Sequence, residues 1–136
     1  MLYLVDGYNM IGAWPEFRSI GDISRSRELL ISMLADFAGF TGDEVMLVFD
    51  GYKNKGSIGE KTTDGGLRVV YTAEGETADA YIQSLAAEVG RSYTLRVASS
   101  DSMIQLSSLG SGVLRVSARE LEQEVLDAQK EMRKFY

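Results

Sequence analysis

Five short apolar runs, each of strand length and each closed by a polar or glycine-bearing break, limit this fold more than any other feature. They lie at residues 2–5, 45–49, 67–71, 95–98 and 113–116. The segments between several of them carry a helical period instead. Residues 24–38 place Leu29, Leu30, Met33, Leu34 and Phe37 at core spacing, with Gly39 near the expected end. Thr77 is positioned to cap a second helix running to Val89, and Gly90 stops it. Ser117-Ala118-Arg119-Glu120 has the Ser-x-x-Glu form of a capping box and should open a last helix over about 118–134. Alternating strands and helices favour a parallel α/β sheet over a bundle or a sandwich of sheets. At 136 residues, of which 45% are hydrophobic, the chain supports one core and one domain, 1–136.

Three stretches lack a clear period. Residues 6–22 read as turn-rich and contain the single proline, Pro15. Residues 51–66, rich in Gly, Lys, Ser and Thr, read as a long loop, and loops of that length in small domains tend to be functional or disordered. A short helix is expected after Asp101.

Composition removes whole classes of chemistry. With no cysteine there is no disulfide, thiolate nucleophile or Cys-based metal site. With no histidine there is no Ser-His-Asp triad, no His-zinc centre and no pair of imidazoles acting as acid and base. Hydrolysis by this chain must rely on carboxylates, a metal ion, Lys, Tyr or a Ser-Lys arrangement. No apolar stretch approaches the ~20 residues that span a bilayer, and Asp6 interrupts the N-terminal apolar run, so no membrane partner and a soluble, cytoplasmic protein are expected. The net charge of −6 argues against capture of free nucleic acid by bulk electrostatics. An RNA substrate would have to be presented by a partner, or the acids be gathered at a metal site.

Aspartates close the apolar runs. Asp6 follows Val5, Asp50 follows Phe49, and Asp101 stands three residues after Ala98, while Glu76 and Asp79 lie where the chain after the third run enters its helix. Ligands of open parallel sheets bind outside the carboxyl ends of the strands, so these acids should share one rim. Taken singly, each has a structural explanation. Asp6-Gly7 and Asp50-Gly51 are turn dipeptides, Asp101 can serve as a helix cap, and Asp79 suits the first turn of a helix. Taken together they are harder to explain, because two carboxylates ~4 Å apart repel by about 4 kcal/mol at an effective dielectric of 20. Oxygen ligands alone point to Mg²⁺ or Mn²⁺, an ion that can activate water and neutralise a phosphodiester without a histidine base.

The stretches Leu-Val-Asp-Gly-Tyr-Asn-Met-Ile-Gly-Ala-Trp-Pro at 4–15, Val-Phe-Asp at 48–50, Glu-Gly-Glu-Thr-Ala-Asp at 74–79, Ala-Ser-Ser-Asp at 98–101 and Ser-Ala-Arg-Glu-Leu at 117–121 span nearly the whole chain in order. In them the sequence resembles the NYN-domain, YacP-like branch of the PIN ribonucleases. The resemblance implies a PIN-like three-layer sandwich, with a central, mostly parallel twisted sheet flanked by helices. It also implies a divalent metal and cleavage of single-stranded RNA, with no DNA substrate expected; some relatives cut mRNA on the ribosome. Carried over by position, Asp6, Asp79 and Asp101 look like the metal-binding carboxylates and Asn9 like the polar partner in Asp-Gly-Tyr-Asn. Asp50 and Glu76 are further members of the set.

Lys53, Lys55, Lys61 and Arg68 can form a basic lip for RNA phosphates, or simply a solvated loop; Arg115 and Arg119, beside the last capping box, are a second basic candidate. Tyr8, Trp14 and Tyr52 lie in segments expected near the rim, where rings stack on bases, although Trp14 before Pro15 equally suits a plug at the edge of the core. Two other classes compete with the nuclease. One is a non-catalytic module of the same fold that docks on a ribosome or protein. The other is a phospho-acceptor receiver domain, which usually needs a late-strand Lys where this chain has Leu114-Arg115-Val116-Ser117. No Gly-x-x-x-x-Gly-Lys-Ser/Thr occurs, so Walker-type nucleotide binding has no motif.

Overall fold

The computed structural model describes residues 1–51, 61–90, 92–99 and 113–135. Five strands, β1 (Leu2–Asp6), β2 (Glu44–Phe49), β4 (Leu67–Tyr71), β5 (Leu95–Ala98) and β6 (Val113–Val116), run parallel, and β3 (Lys61–Asp64) pairs antiparallel to β4 at one edge. The order across the sheet is β3-β4-β2-β1-β5-β6. Helices α1 (Gly7–Ala13), α2 (Ile23–Thr41), α3 (Ala78–Val89) and α4 (Ala118–Arg133) complete the expected three-layer α/β sandwich.

Strand alternation sorts the side chains between two cores. Tyr3 and Val5 of β1, with Val45, Leu47 and Phe49 of β2, face α1, α2 and α4 and pack on Met10, Leu30, Leu34 and Leu121. Leu4, Met46 and Val48 point the other way, onto Ala78, Ile82 and Ala86 of α3. Both faces are covered, which is why the strands read as unbroken apolar runs rather than alternating ones.

Residues 6–22 hold more structure than their turn-like composition suggests. Asp6 ends β1 and also caps α1, its Oδ1 accepting the Asn9 backbone N–H at 3.4 Å. A single 3₁₀ turn over Pro15–Phe17 follows, with proline at its start, where a missing N–H costs nothing. The helix was hidden by Gly7 and Gly12, both poor helix formers. Gly7 has a packing reason: a Cβ there would lie 2.5 Å from Cε1 of Phe49, a ring fully buried between Tyr8 and Tyr71.

Helix α2 runs past Gly39 to Thr41 and stops at Gly42, whose φ of 78° is the left-handed value a glycine cap supplies. Leu29, expected in the core, is exposed, because Leu30, Met33, Leu34 and Phe37 fill the buried face without it. The long loop expected over 51–66 instead contributes β3 at its far end, a polar edge strand whose Lys61-Thr-Thr-Asp64 sequence carries no apolar period to detect. The short helix expected after Asp101 falls outside the described residues.

Gly7→Ala should destabilise the protein by about 1–3 kcal/mol, despite alanine's better helix propensity, because Phe49 has nowhere to move. Urea unfolding of the two proteins measures this; an equal or higher midpoint for the variant would contradict the close approach of α1 to β2.

Candidate active site

The sheet reverses its direction of growth at β1, which has β2 on one side and β5 on the other. Outside the carboxyl ends of strands at such a reversal, the loops diverge and leave a crevice. Asp6 stands there as the last residue of β1. By strand alternation it shares a face with Leu4, the face covered by α3. Asp50 follows β2 directly, and Asp79 occupies the first turn of α3. Three acids distant in the chain are thus aimed at one space between the strand ends and the start of α3.

Their electrostatics confirm the approach. Burial is the largest influence on Asp6 and pushes its carboxyl up from 3.8 to about 6; the Asn9 N–H opposes the shift, while the charges of Asp79 and Asp50 and a hydrogen bond shared with Asp79 add to it. Oδ1 of Asp79 is buried without a hydrogen-bond partner among the described residues. A buried carboxyl oxygen left unsatisfied beside another carboxyl suits a cation or a shared proton. Among the described residues no three acidic side chains group at metal-ligating spacing, and Asp101 lies outside those residues. Glu76 is placed by its backbone in the turn before α3, its N–H bonded to the Ala73 carbonyl, and it is not among the leading charges acting on Asp6.

A buried threonine that the sequence did not single out fixes this geometry. Thr72 Oγ1 accepts the Gly51 N–H at 2.7 Å and donates to the Glu76 carbonyl at 2.7 Å, while the Thr72 N–H binds the Phe49 carbonyl at 3.0 Å. One side chain therefore ties the end of β2, which carries Asp50, to the turn leading into Asp79. The only signal for it was position, immediately after the third apolar run.

The remaining candidates separate. Trp14 does not offer a face to a base: it is 1% exposed, and its Nε1–H donates to the Ala118 carbonyl at 2.8 Å, fastening α1 to the start of α4. Tyr8 is half-buried against Phe49, and its hydroxyl accepts a hydrogen bond from Arg27 at 3.1 Å, so a guanidinium that the sequence did not single out sits near α1. Arg68 lies at the amino ends of the strands, lining a separate recess with Leu2 and Glu44, roughly 10 Å along the strand from the rim. It cannot join a lip there. The Lys61 backbone does reach the rim end, opposite Val70. Arg115 and Arg119 line a cavity with Ser99 and with Asn9, the residue whose backbone N–H binds Asp6. Lys53, Lys55 and Tyr52 fall outside the described residues.

Residues 3–136 match the YacP-like NYN domain. The chain belongs to that family. Its YacP-like relatives include the uncharacterized protein YacP of Bacillus subtilis strain 168, 42% identical over 127 residues that make up 91% of this chain and 74% of that protein. The crystal structure of Rae1 (YacP) from Bacillus subtilis superimposes with a TM-score of 0.80 at 39% identity, covering 98% of this chain and 78% of the other. Its W164L mutant gives 0.78 at 35% identity, covering 98% and 79%. The YacP-like NYN domain is an RNA-related nuclease fold, and the PIN-like sandwich expected from the motifs is the one observed.

The raised pKa of Asp6 has a definite sign. Its folded value exceeds its unfolded one, so its contribution to stability is full below about 3.8 and lost as pH rises through about 6. Asparagine caps a helix as well as aspartate does. Asp6→Asn should therefore raise stability at pH 8 in chelator by on the order of 1 kcal/mol, discounted for solvent access, with the gain shrinking toward pH 4. Thermal unfolding across pH tests this, and a variant less stable than the parent at pH 8 would refute it. Thr72→Val, which orphans the Gly51 N–H, should cost about 1–3 kcal/mol in the same assay.

Proposed function

We propose that the protein is a divalent-metal-dependent endoribonuclease that cleaves single-stranded RNA, with mRNA on or near the ribosome as its substrate. The observation that carries this reading is the approach of Asp6 to Asp79, whose Oδ1 is buried without a hydrogen-bond partner among the described residues, at the reversal of a parallel sheet. Mg²⁺ or Mn²⁺ suits an all-oxygen set, and Asp6, Asp79 and Asp101 would hold it, with Asp50 close by and Glu76 at the margin. A divalent ion bound there supplies acidity to water and charge neutralisation to a phosphodiester.

The chain's own groups prepare the site. A divalent ion held by these residues would favour the ionised form of Asp6 against the effect of burial. The Asn9 N–H holds one Asp6 oxygen in place, leaving the other to turn toward Asp79. Thr72 keeps Asp50 and the approach to α3 from separating under like-charge repulsion. The ribosomal setting rests on the family resemblance, and the net charge of −6 fits an enzyme whose RNA is delivered by a larger assembly.

The same acidic balance also suits a second reading, a non-catalytic module of this fold docking on a ribosome or protein partner. Calorimetric Mn²⁺ titration separates the two, since only the enzyme should bind the ion in an Asp6- and Asp79-dependent manner.

Purified protein with Mn²⁺ or Mg²⁺ should cleave single-stranded RNA, alone or with translating ribosomes. Asp6→Asn and Asp79→Asn should each lose on the order of 100-fold or more in rate. Wild-type activity no greater than that of either variant in both settings would overturn the enzyme.

A further inference from the structure

The cavity beside the carboxylates has its own chemistry. Asn9 and Ala13 from α1, Ser99 just past β5, Arg115 from β6, and Ser117 and Arg119 at the start of α4 line an open hollow of about 430 Å³. That lies within the range of small-ligand pockets. Asn9 belongs to both spaces: its backbone N–H binds Asp6, and the residue also lines the cavity. Ser99 follows β5, the strand paired with β1, so the cavity opens next to the end of the strand that carries Asp6.

Among the described residues the lining holds two arginines, two serines and an asparagine, and no aromatic ring. A base would find no aromatic ring among the described residues, whereas an anionic oxygen would find two guanidinium groups within one hollow. Arg forks match phosphate oxygens in pairs, which a Lys does not. The neighbouring acids are partly engaged: Glu120 accepts the Ser117 N–H at 3.1 Å, and Glu122, which feels the charge of Arg119, also hydrogen-bonds with Glu16. Trp14 holds the walls together through its bond to the Ala118 carbonyl.

We infer that this cavity seats a phosphodiester of the RNA strand adjacent to the scissile one, gripped by Arg115 and Arg119. The inference rests on the nuclease reading and deepens it. A substrate with two phosphates spans both the carboxylates and the cavity, and a substrate with one phosphate engages only the first. The contact is to the backbone and so adds affinity without base preference. It also gives a strongly acidic protein a local hold on a polyanion.

The test uses the full chain and Arg115→Gln, Arg119→Gln and the double variant, all at exposed positions. Binding of a short single-stranded RNA is followed by fluorescence anisotropy in chelator across a salt series. Cleavage of a dinucleotide and a trinucleotide is measured with Mn²⁺. The double variant should bind about tenfold more weakly, and its salt dependence should be shallower by about 0.7 for the one phosphate lost. Its KM for the trinucleotide should rise with kcat little changed, the preference for trinucleotide over dinucleotide should vanish, and Mn²⁺ affinity should stay the same. Arg119→Lys should recover only part of the binding. Unchanged RNA affinity and salt slope in the double variant would overturn the inference while leaving the nuclease intact. A 5′-phosphorylated dinucleotide matching the trinucleotide through these arginines would overturn it in favour of a terminal phosphate. Wild-type protein that neither binds nor cuts RNA would end the nuclease reading and this one with it.

Discussion

Burial of the Asp6 carboxyl beside Asp79 is the constraint around which the site is arranged. Two carboxyls brought together in a partly buried space each lose hydration and gain a like-charged neighbour, and the rise of the Asp6 pKa to about 6 is the visible result. A fold tolerates such an arrangement only if the surrounding structure holds it in place, because the acids themselves favour separation. Here the restraint comes from backbone. Asp6 is held between a strand and a helix that share it as terminus and cap, and Asp79 belongs to a helix whose entrance is tied to β2 through Thr72.

The convergence follows from elementary strand geometry. In a parallel sheet with both faces buried, alternation sends even-numbered residues of β1 and β2 toward α3, so Asp6 and Asp50 inherit the direction taken by Leu4, Met46 and Val48. A slip of one residue in either strand would turn its acid to the other face. The registers Val5↔Leu47 and Val5↔Ala98 therefore position the chemistry as well as the core. Gly7 contributes by letting α1 begin against the Phe49 ring, which keeps the Asp6 cap close to the sheet. Core packing and site geometry depend on the same few contacts, which is where a functional site is expected to impose its demands on the fold.

How readable this was from sequence depended on how local the causes were. The five apolar runs, the capping box at Ser117 and the Thr77 cap act within a few residues, and each element they announced is present. The family motifs likewise announced the PIN-like sandwich. Helix α1 was not readable, because Asp6-Gly7 looks like a turn unless Phe49 is known to press on Gly7. Trp14 had two local explanations, and only the distant Ala118 carbonyl decides between them. Arg68 appeared to belong with the lysines because it is near them in sequence, yet strand direction places it at the opposite end of the sheet. The acids resolved in an intermediate way. Strand ends predicted the rim for Asp6 and Asp50, while the closeness of Asp79 to Asp6 depends on how α3 lies across the sheet.

The acidic balance of the chain looks at first like evidence against any dealings with RNA, and the structure changes the weight of that objection. Net charge governs long-range capture, which is screened beyond about 8–10 Å at physiological salt. What a substrate meets at contact is the local distribution. At the crevice Asp6 is partly desolvated, and among the described residues Oδ1 of Asp79 has no hydrogen-bond partner. Across α1, whose Asn9 borders both places, Arg115 and Arg119 line one polar cavity. An acidic surface then weakens indiscriminate binding to nucleic acid without weakening these short-range contacts. A negative exterior around a small hollow that carries two arginines thus separates long-range repulsion of a polyanion from short-range attraction.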